Sequence, residues 1–336
     1  MDAAVEILNP GLAATIQDSG RWGYQRYGVS VSGAIDQFAL HLANVLVGNK
    51  SDQAAIEFIL LGPKLKFNCP TFIALTGGNC QAYLNQQEIA SNRAYQVFPG
   101  DILSFDPMKN GRFGYVAFAG GIKTTAVLAS RSTTSRIRLG GLNGATLTAG
   151  DFLPLSPVYR LNSLKQRYCQ LPPLPAKTNL RFIRGPQWDS FSVSAQKLFC
   201  QQHFQVSNQA DRMGYRLTGV KLPVPTQSML SEGTVTGSVQ VTRSGQPIVL
   251  LADRQTAGGY PVIATICAVD LPRLVQLSSQ QTFGFTEISI SQATELLRQQ
   301  HAFLHQLQQR FYQQRYQLPL GPQQAAGQRI SQLFKH

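Results

Sequence analysis

Acidic residues are scarce in this chain. Its 336 residues hold 17 Asp plus Glu against 30 Lys plus Arg, a formal net charge of +13. The bases are scattered and form no long Lys/Arg run. The chain therefore lacks the basic stripe that tracks a phosphate backbone, and nucleic acid is not an expected partner. An anionic substrate, an acidic partner or plain surface charge suits the excess equally well. Cysteine is scarce too. Cys69, Cys80, Cys169, Cys200 and Cys267 are odd in number and show no CxxC spacing, so neither a disulfide framework nor a zinc site is expected. Free thiols fit a reducing cytoplasm. No apolar run approaches the roughly 18 residues of a membrane span. Met1 to Glu6 carries acids where a signal peptide needs bases. The expectation is a soluble, cytoplasmic protein.

Several motifs are missing as well. There is no P-loop, no HExxH and no GxSxG elbow. Of five histidines, His301 and His305 stand four apart on an expected helix and could face a metal. The glutamines around them favour a solvated face. No metal site is expected, and no histidine reads as an evident general base.

What is present is a strand-rich globular chain, long enough for about two domains. Hydrophobic residues make up 43%. Short apolar segments end at glycine corners: Ala3–Leu8, Ala14–Gln17, Ala55–Leu60, Lys64–Phe67, Thr71–Leu75, Ala94–Val97, Asp101–Phe105 and Gly114–Phe118. A hairpin is expected over Gln81–Ile89. Such spacing points to barrels or sandwiches rather than alternating strands and helices. Helices are expected over Asp36–Val47 and Ser190–Phe204. Residues 156–178 contain Pro172, Pro173 and Pro175 and read as a linker between residues 1–155 and 179–290. The two parts look like a duplicated architecture, with a weak echo between Arg21-Trp22-Gly23-Tyr24 and Arg212-Met213-Gly214-Tyr215. Residues 291–317 form an amphipathic helix by spacing, and 318–336 a basic tail.

The polar glycine corners are the site candidates. Ala252-Asp253-Arg254-Gln255-Thr256-Ala257-Gly258-Gly259-Tyr260-Pro261 follows an apolar run. It sets an acid, a guanidinium and an amide side by side, and its glycines permit close backbone approach. The alternative is a structural turn. Asp18 and Arg21 flank another turn. Ser32, Gly33 and Asp36 open the first helix, where an anion could sit, or where the side chains simply cap. Ser130-Arg131-Ser132-Thr133 is a donor cluster suited to a carboxylate or phosphate. Asp211, Arg212 and Glu232 add charged corners.

In order along the chain, Asn9-Pro10-Gly11-Leu12, Thr15-Ile16-Gln17-Asp18-Ser19-Gly20-Arg21, Ser32-Gly33-Ala34-Ile35-Asp36 and Leu75-Thr76-Gly77-Gly78 form the start of a pattern. Asp211-Arg212-Met213-Gly214-Tyr215, Ser231-Glu232-Gly233, Asp253-Arg254-Gln255-Thr256, Gly258-Gly259-Tyr260-Pro261 and Asp270-Leu271-Pro272-Arg273-Leu274 complete it. This pattern resembles the biotin-dependent carboxyltransferase family, also called the allophanate hydrolase subunit 2 family. Within it the chain is similar to the stand-alone bacterial branch, the C-type subunits of 5-oxoprolinase. The resemblance covers roughly Val5 to Ile290.

The resemblance implies a mainly β fold of two tandem cyclophilin-like β-barrel domains, with a few helices and a C-terminal helix. It implies a subunit of an ATP-dependent 5-oxoprolinase complex, which cleaves 5-oxoproline to L-glutamate, and the chain need not be active alone. The implied partners are a B-type subunit, similar to allophanate hydrolase subunit 1, and a separate A-type subunit. ATP with Mg2+ is the implied cofactor, which a partner could hold. Two alternatives stay open: carboxyl transfer from carboxybiotin to urea or another small amide, and a regulatory binding protein that antagonises a kinase inhibitor. No Met-Lys-Met biotin target occurs, so biotin on this chain is not expected. Asp253, Arg254 and Gln255 are the expected catalytic group. Asp18, Arg21, Ser32, Gly33, Asp36, Arg131, Ser132, Asp211, Arg212, Glu232, Gly258, Gly259 and Tyr260 are the expected substrate- or nucleotide-binding residues.

Overall fold

The computed structural model describes residues 4–156, 164, 167–172, 178–226, 229–279 and 281–314. Most of the expected linker, residues 315–317 of the expected helix and the expected tail lie outside these. The protein is mainly β. In the first half the strands are β1 (Ala4–Asn9), β2 (Ala14–Gln17), β3 (Ala55–Ile59), β4 (Lys64–Phe67), β5 (Thr71–Asn79) and β6 (Ala82–Leu84). They continue as β7 (Gln87–Ile89), β8 (Ala94–Val97), β9 (Ile102–Phe105), β10 (Asn110–Phe118) and β11 (Phe152–Pro154). One helix, α1 (Gln37–Leu46), is inserted between β2 and β3. In the second half the strands are β12 (Thr178–Arg184), β13 (Phe204–Ala210), β14 (Gly214–Gly219), β15 (Glu232–Gly233) and β16 (Ser238–Val241). They end with β17 (Pro247–Leu250), β18 (Ala257–Gly258), β19 (Val262–Ile266) and β20 (Thr282–Glu287). The helices there are α2 (Val193–Gln201), α3 (Leu271–Val275) and α4 (Ile290–Gln314).

The halves close differently. In the first, β11-β1-β4-β9-β6-β7 form one sheet and β2-β3-β10-β5-β8 another. They sandwich a core of Val5, Ile7, Ile16, Phe58, Phe67 and Phe118. In the second, β12-β19-β16-β17-β14-β13-β20 close on themselves as a barrel, with β15 and β18 paired outside it. Phe182, Phe199, Phe204, Phe283 and Phe285 are buried in this half and meet edge-on, tilted or stacked. The Arg-Xaa-Gly-Tyr echo does not mark equivalent elements. Gly214-Tyr215 opens a barrel strand, whereas Gly23-Tyr24 lies in a turn-rich loop.

Local chemistry explains the boundaries. The Asp36 carboxylate caps α1 by accepting from Ala39 N at 2.9 Å, and Ser192 caps α2 in the same way at 3.3 Å. Both caps trim the expected helices by a residue or more at the start. The β6–β7 hairpin turns on Asn85 and Gln86, both in the left-handed region at φ 50 and 69, as a two-residue hairpin turn demands.

The two halves share a core. Ala34, Leu42, Phe113 and Tyr115 of the first half join Tyr215, Leu274 and the barrel phenylalanines of the second. Helix α4 leans on this seam. Phe303 faces Phe38 of α1 at 6.2 Å, and Leu304, Leu307 and Phe311 are buried. His301 and His305 on its other face are exposed. Among the described residues no helix is long and apolar enough to cross a membrane.

Candidate functional site

Many of the expected site residues hydrogen-bond within the protein itself, although Arg21 and Arg254 each keep a buried Nε without a partner among the described residues. The Ser130–Thr133 cluster does hold a carboxylate, but the carboxylate is that of Asp18. Asp18 accepts from Ser130 Oγ at 2.7 Å, Ser132 Oγ at 2.5 Å, Arg131 N at 2.5 Å and Gly20 N at 2.8 Å. Arg131 spends its Nε on Thr124 O at 2.8 Å. Arg21 is fully buried and donates to Thr134 Oγ1 at 2.6 Å and to Ser132 O. Burial lowers its pKa, against the opposing pull of Asp18 and Asp253. Ser32 and Gly33 both have positive φ, at 56 and 89. Ser32 donates through Oγ to Thr133 O at 3.1 Å and through N to Ala252 O at 3.0 Å, tying the halves together. A Cβ on Gly33 would lie 2.9 Å from Gly20 N, so only glycine fits. The anion expected at the start of α1 is likewise internal, since the Asp36 carboxylate occupies that position.

A second set forms the seam. Arg212 donates from Nε and Nη2 to Asp253 at 2.8 and 3.1 Å, from Nη2 to Gly33 O at 2.6 Å, and from Nη1 to Glu57. Burial works against its charge, yet Glu57 and Asp253 together raise its pKa. Glu57 also accepts from Tyr115 Oη at 2.6 Å and Ile35 N at 2.8 Å. Tyr115 Oη accepts in turn from Asp36 N at 2.9 Å. Gln276 of the second half closes the chain. Its Nε2 donates to Asp36 Oδ2 at 2.9 Å, and its Oε1 accepts from Arg112 N at 2.8 Å and Phe113 N at 3.1 Å. Burial pushes the Asp36 carboxyl up, against the bonds from Gln276 and Ala39, and Glu57 adds to the rise. Glu57, Tyr115 and Gln276 were not candidates from the sequence. An acid inside the apolar strand Ala55-Ile56-Glu57-Phe58-Ile59 was the available signal.

At the Asp253 corner the charged side chains pair with protein groups. Asp253 is spent on Arg212. Arg254 is 3% exposed and donates inward to Thr236 Oγ1 at 2.7 Å and Thr234 O at 3.4 Å. Gln255 is exposed, and its carbonyl accepts from Thr234 Oγ1. Of the three expected catalytic residues, Arg254 and the Gln255 carbonyl anchor the Ser231–Gly237 loop, while Asp253 pairs with Arg212 at the seam.

What they support is a pocket of about 170 Å³ on the outside of the barrel. On β16, Val239 and Val241 point into the barrel core, so Ser238 and Gln240 point out beneath the β15–β18 pair. Ser238, Gln240, Thr234, Thr265, Glu232, Gly258 and Tyr260 line the pocket. Three of these, Glu232, Gly258 and Tyr260, were expected from the sequence. Gly258 leaves room for the Gln240 carboxamide, since a Cβ there would lie 2.5 Å from Gln240 Nε2, the movable end of that side chain. Glu232 accepts from Gln187 Nε2 at 3.1 Å. Gln240 donates only weakly, to Tyr260 O at 3.5 Å. Gly259 adjoins the pocket, while Asp211 serves its own turn, accepting from Met213 N at 2.8 Å. Gln25 Nε2 reaches Thr234 O at 3.3 Å and brings the 22–28 loop alongside. Trp22 and Tyr27 on that loop are 65% and 66% exposed, and Val235 and Leu230 beside the pocket are exposed too.

Comparison with known proteins agrees with this architecture. A family model described as "Carboxyltransferase domain, subdomain A and B" matches residues 27–287. The chain belongs to this carboxyltransferase family. It is 36% identical to the C-type subunit of Escherichia coli 5-oxoprolinase, over 92% of this chain and 99% of that one. It is 31% identical to urea amidolyase of Lachancea kluyveri, over 91% of this chain but 18% of that protein. The crystal structure of Kluyveromyces lactis urea carboxylase superposes with TM-score 0.83 at 30% identity, covering 91% of this chain and 29% of that one. The match thus spans nearly all of the bacterial protein and less than a third of the fungal ones.

Proposed function

We propose that the chain is the C-type subunit of an ATP-dependent 5-oxoprolinase complex, contributing the amide-binding wall of a site shared with its partners. The observation that carries this reading is the 36% identity that runs through 99% of the C-type subunit of Escherichia coli 5-oxoprolinase. The pocket chemistry supports it. A lactam shows its N–H and C=O on one edge, and the Gln240 carboxamide offers one acceptor and two donors to match them. The Ser238 and Thr265 hydroxyls add donors where negative charge grows on the lactam oxygen as the ring opens. Glu232 is the one carboxylate among the described residues lining the pocket, placed to take a proton from the attacking nucleophile. Asp253 and Arg254 hold this wall in place.

The pocket does not fit ATP. None of the described residues lining it is Lys or Arg, and no cluster of three acids, histidines or cysteines for a metal occurs among the described residues. We assign the nucleotide and its Mg2+ to another chain of the complex, and the partners to the A and B types. The exposed Trp22, Tyr27, Leu230 and Val235 around the pocket suit a protein lid that excludes water. The test is turnover of 5-oxoproline and ATP by the reconstituted complex with each chain omitted in turn. Turnover is expected to vanish without this chain, and undiminished turnover would refute the reading.

A second reading, carboxyl transfer to a small amide, is favoured by the family description and the urea amidolyase match. Carboxylation of a small amide on adding a biotinylated carrier would support it.

A further inference from the structure

The Glu232 carboxylate is held by a residue that does not itself line the pocket. Glu232 is exposed and lies on the short strand β15, whose pairing with Gly258 fixes its backbone but not its side chain. Gln187 supplies that constraint. Its Nε2 donates to Glu232 Oε2 at 3.1 Å, and Glu232 Oε1 has no hydrogen-bond partner among the described residues.

Gln187 is itself fixed to the barrel. Its Oε1 accepts from Val262 N at 3.0 Å, and its backbone N donates to Val262 O at 3.3 Å. The first bond settles which way the carboxamide lies, with the oxygen toward β19 and the nitrogen toward Glu232. The turn that carries it, residues 185–190, is anchored by Trp188, which is buried against Phe182 and Phe199. A Cβ on Gly185 would lie 2.3 Å from Val262 O, so the approach of this turn to β19 needs glycine. An exposed acid is thus met by a donor that the barrel wall holds still. The donor is also neutral. A Lys or Arg in its place would pair with the carboxylate and blunt it as a base, and neither lines the pocket among the described residues. An amide N–H orients one oxygen and leaves the charge and the other oxygen available.

We propose that Gln187 is the positioning residue for Glu232, holding one carboxylate oxygen so that the other is presented to the pocket. This role rests on the reading of Glu232 as the group that takes a proton from the attacking nucleophile. Gln187 touches no substrate and acts only through Glu232.

The test compares Glu232→Gln, Gln187→Leu and Gln187→Glu in the reconstituted complex with 5-oxoproline and ATP. Glu232→Gln is expected to lower kcat about a hundredfold, the scale of a lost general base. Gln187→Leu should lower kcat about tenfold, the scale of a lost charge-assisted hydrogen bond, with KM for 5-oxoproline little changed. The acid limb of its kcat profile should move to higher pH, because a carboxylate that loses a donor holds its proton more tightly. Gln187→Glu keeps an acceptor for Val262 N but sets a like charge beside Glu232, so the limb should move further up. A merely structural Gln187 would lower the thermal midpoint and leave the limb in place. Carbon-13 NMR titration of the Glu232 carboxylate in the isolated chain, assigned by its loss in Glu232→Gln, should show the same order of shifts without turnover. Full turnover by Glu232→Gln would refute the base reading, and the positioning role with it. A loss in Glu232→Gln, with the acid limb or the Glu232 titration unmoved in both Gln187 variants, would overturn the positioning role alone.

Discussion

The seam between the halves and the pocket on the barrel wall use the same residue types to opposite ends. At the seam the carboxylates are saturated. Glu57 takes three donors, and Asp36 takes Ala39 N and Gln276 Nε2. In the pocket the Gln240 carboxamide has a single weak internal contact. Saturation marks groups that hold the protein together, because a buried charge without partners is costly. Spare hydrogen-bonding capacity beneath an open pocket marks groups kept for a ligand. The difference sorts polar residues that look alike in the sequence.

The comparison breaks first if the seam is dispensable. Arg212→Met leaves Glu57 and Asp253 without their cation, and urea unfolding should show a loss of about 3–5 kcal/mol. A loss below about 1 kcal/mol, the scale of a surface ion pair, would make the seam no stronger than a surface contact. Next in size is the pocket rim. Trp22→Ala should cost about 2 kcal/mol in affinity for the proposed B-type partner, the scale of an aromatic hot spot, with stability unchanged within about 0.5 kcal/mol. Surface plasmon resonance against that partner reads the first and thermal unfolding the second. Equal affinity for both forms would move the interface elsewhere.

A smaller effect sharpens the seam. Asp36 has a folded pKa above its ordinary 3.8, chiefly through burial. The folded protein then holds a proton that the unfolded chain releases, so this group's contribution is full below 3.8 and fades as pH rises through the folded value. Asp36→Asn keeps an α1 cap and removes the titration. The variant should therefore gain on the wild type as pH rises from about 4 towards neutrality. Parallel curves in urea titrations across that range would contradict the assignment.

These contrasts also explain what the sequence could show. The α1 cap, the Asn85-Gln86 turn and the long amphipathic α4 are local, and short-range chemistry gives them away. The strand-rich halves followed from the same signals, but closure did not. Whether strands form two sheets or one barrel depends on pairings such as Thr178 with Phe283, far apart in sequence. The site divides in the same way. Glu232, Gly258 and Tyr260 stood out as a charged or glycine-rich corner. Gln240 and Ser238 did not, because they alternate with Val239 and Val241 as any half-buried strand does. Glu57 meets Arg212 across 155 positions, and no local pattern encodes that meeting. For Asp253 and Arg254 the motif reported that polar groups are needed, not which way they face, and the structure shows them paired with Arg212 and with Thr234 and Thr236.

The central claim is that the Gln240 pocket binds the amide while the Asp253 corner only supports it. Gly258→Ala tests this most directly, because its Cβ would sit 2.5 Å from Gln240 Nε2 and displace a flexible amide end at little cost to folding. In the reconstituted complex, kcat/KM for 5-oxoproline should fall about tenfold or more, with the thermal midpoint of the isolated chain unchanged. Unaltered kcat/KM in that variant would contradict the account.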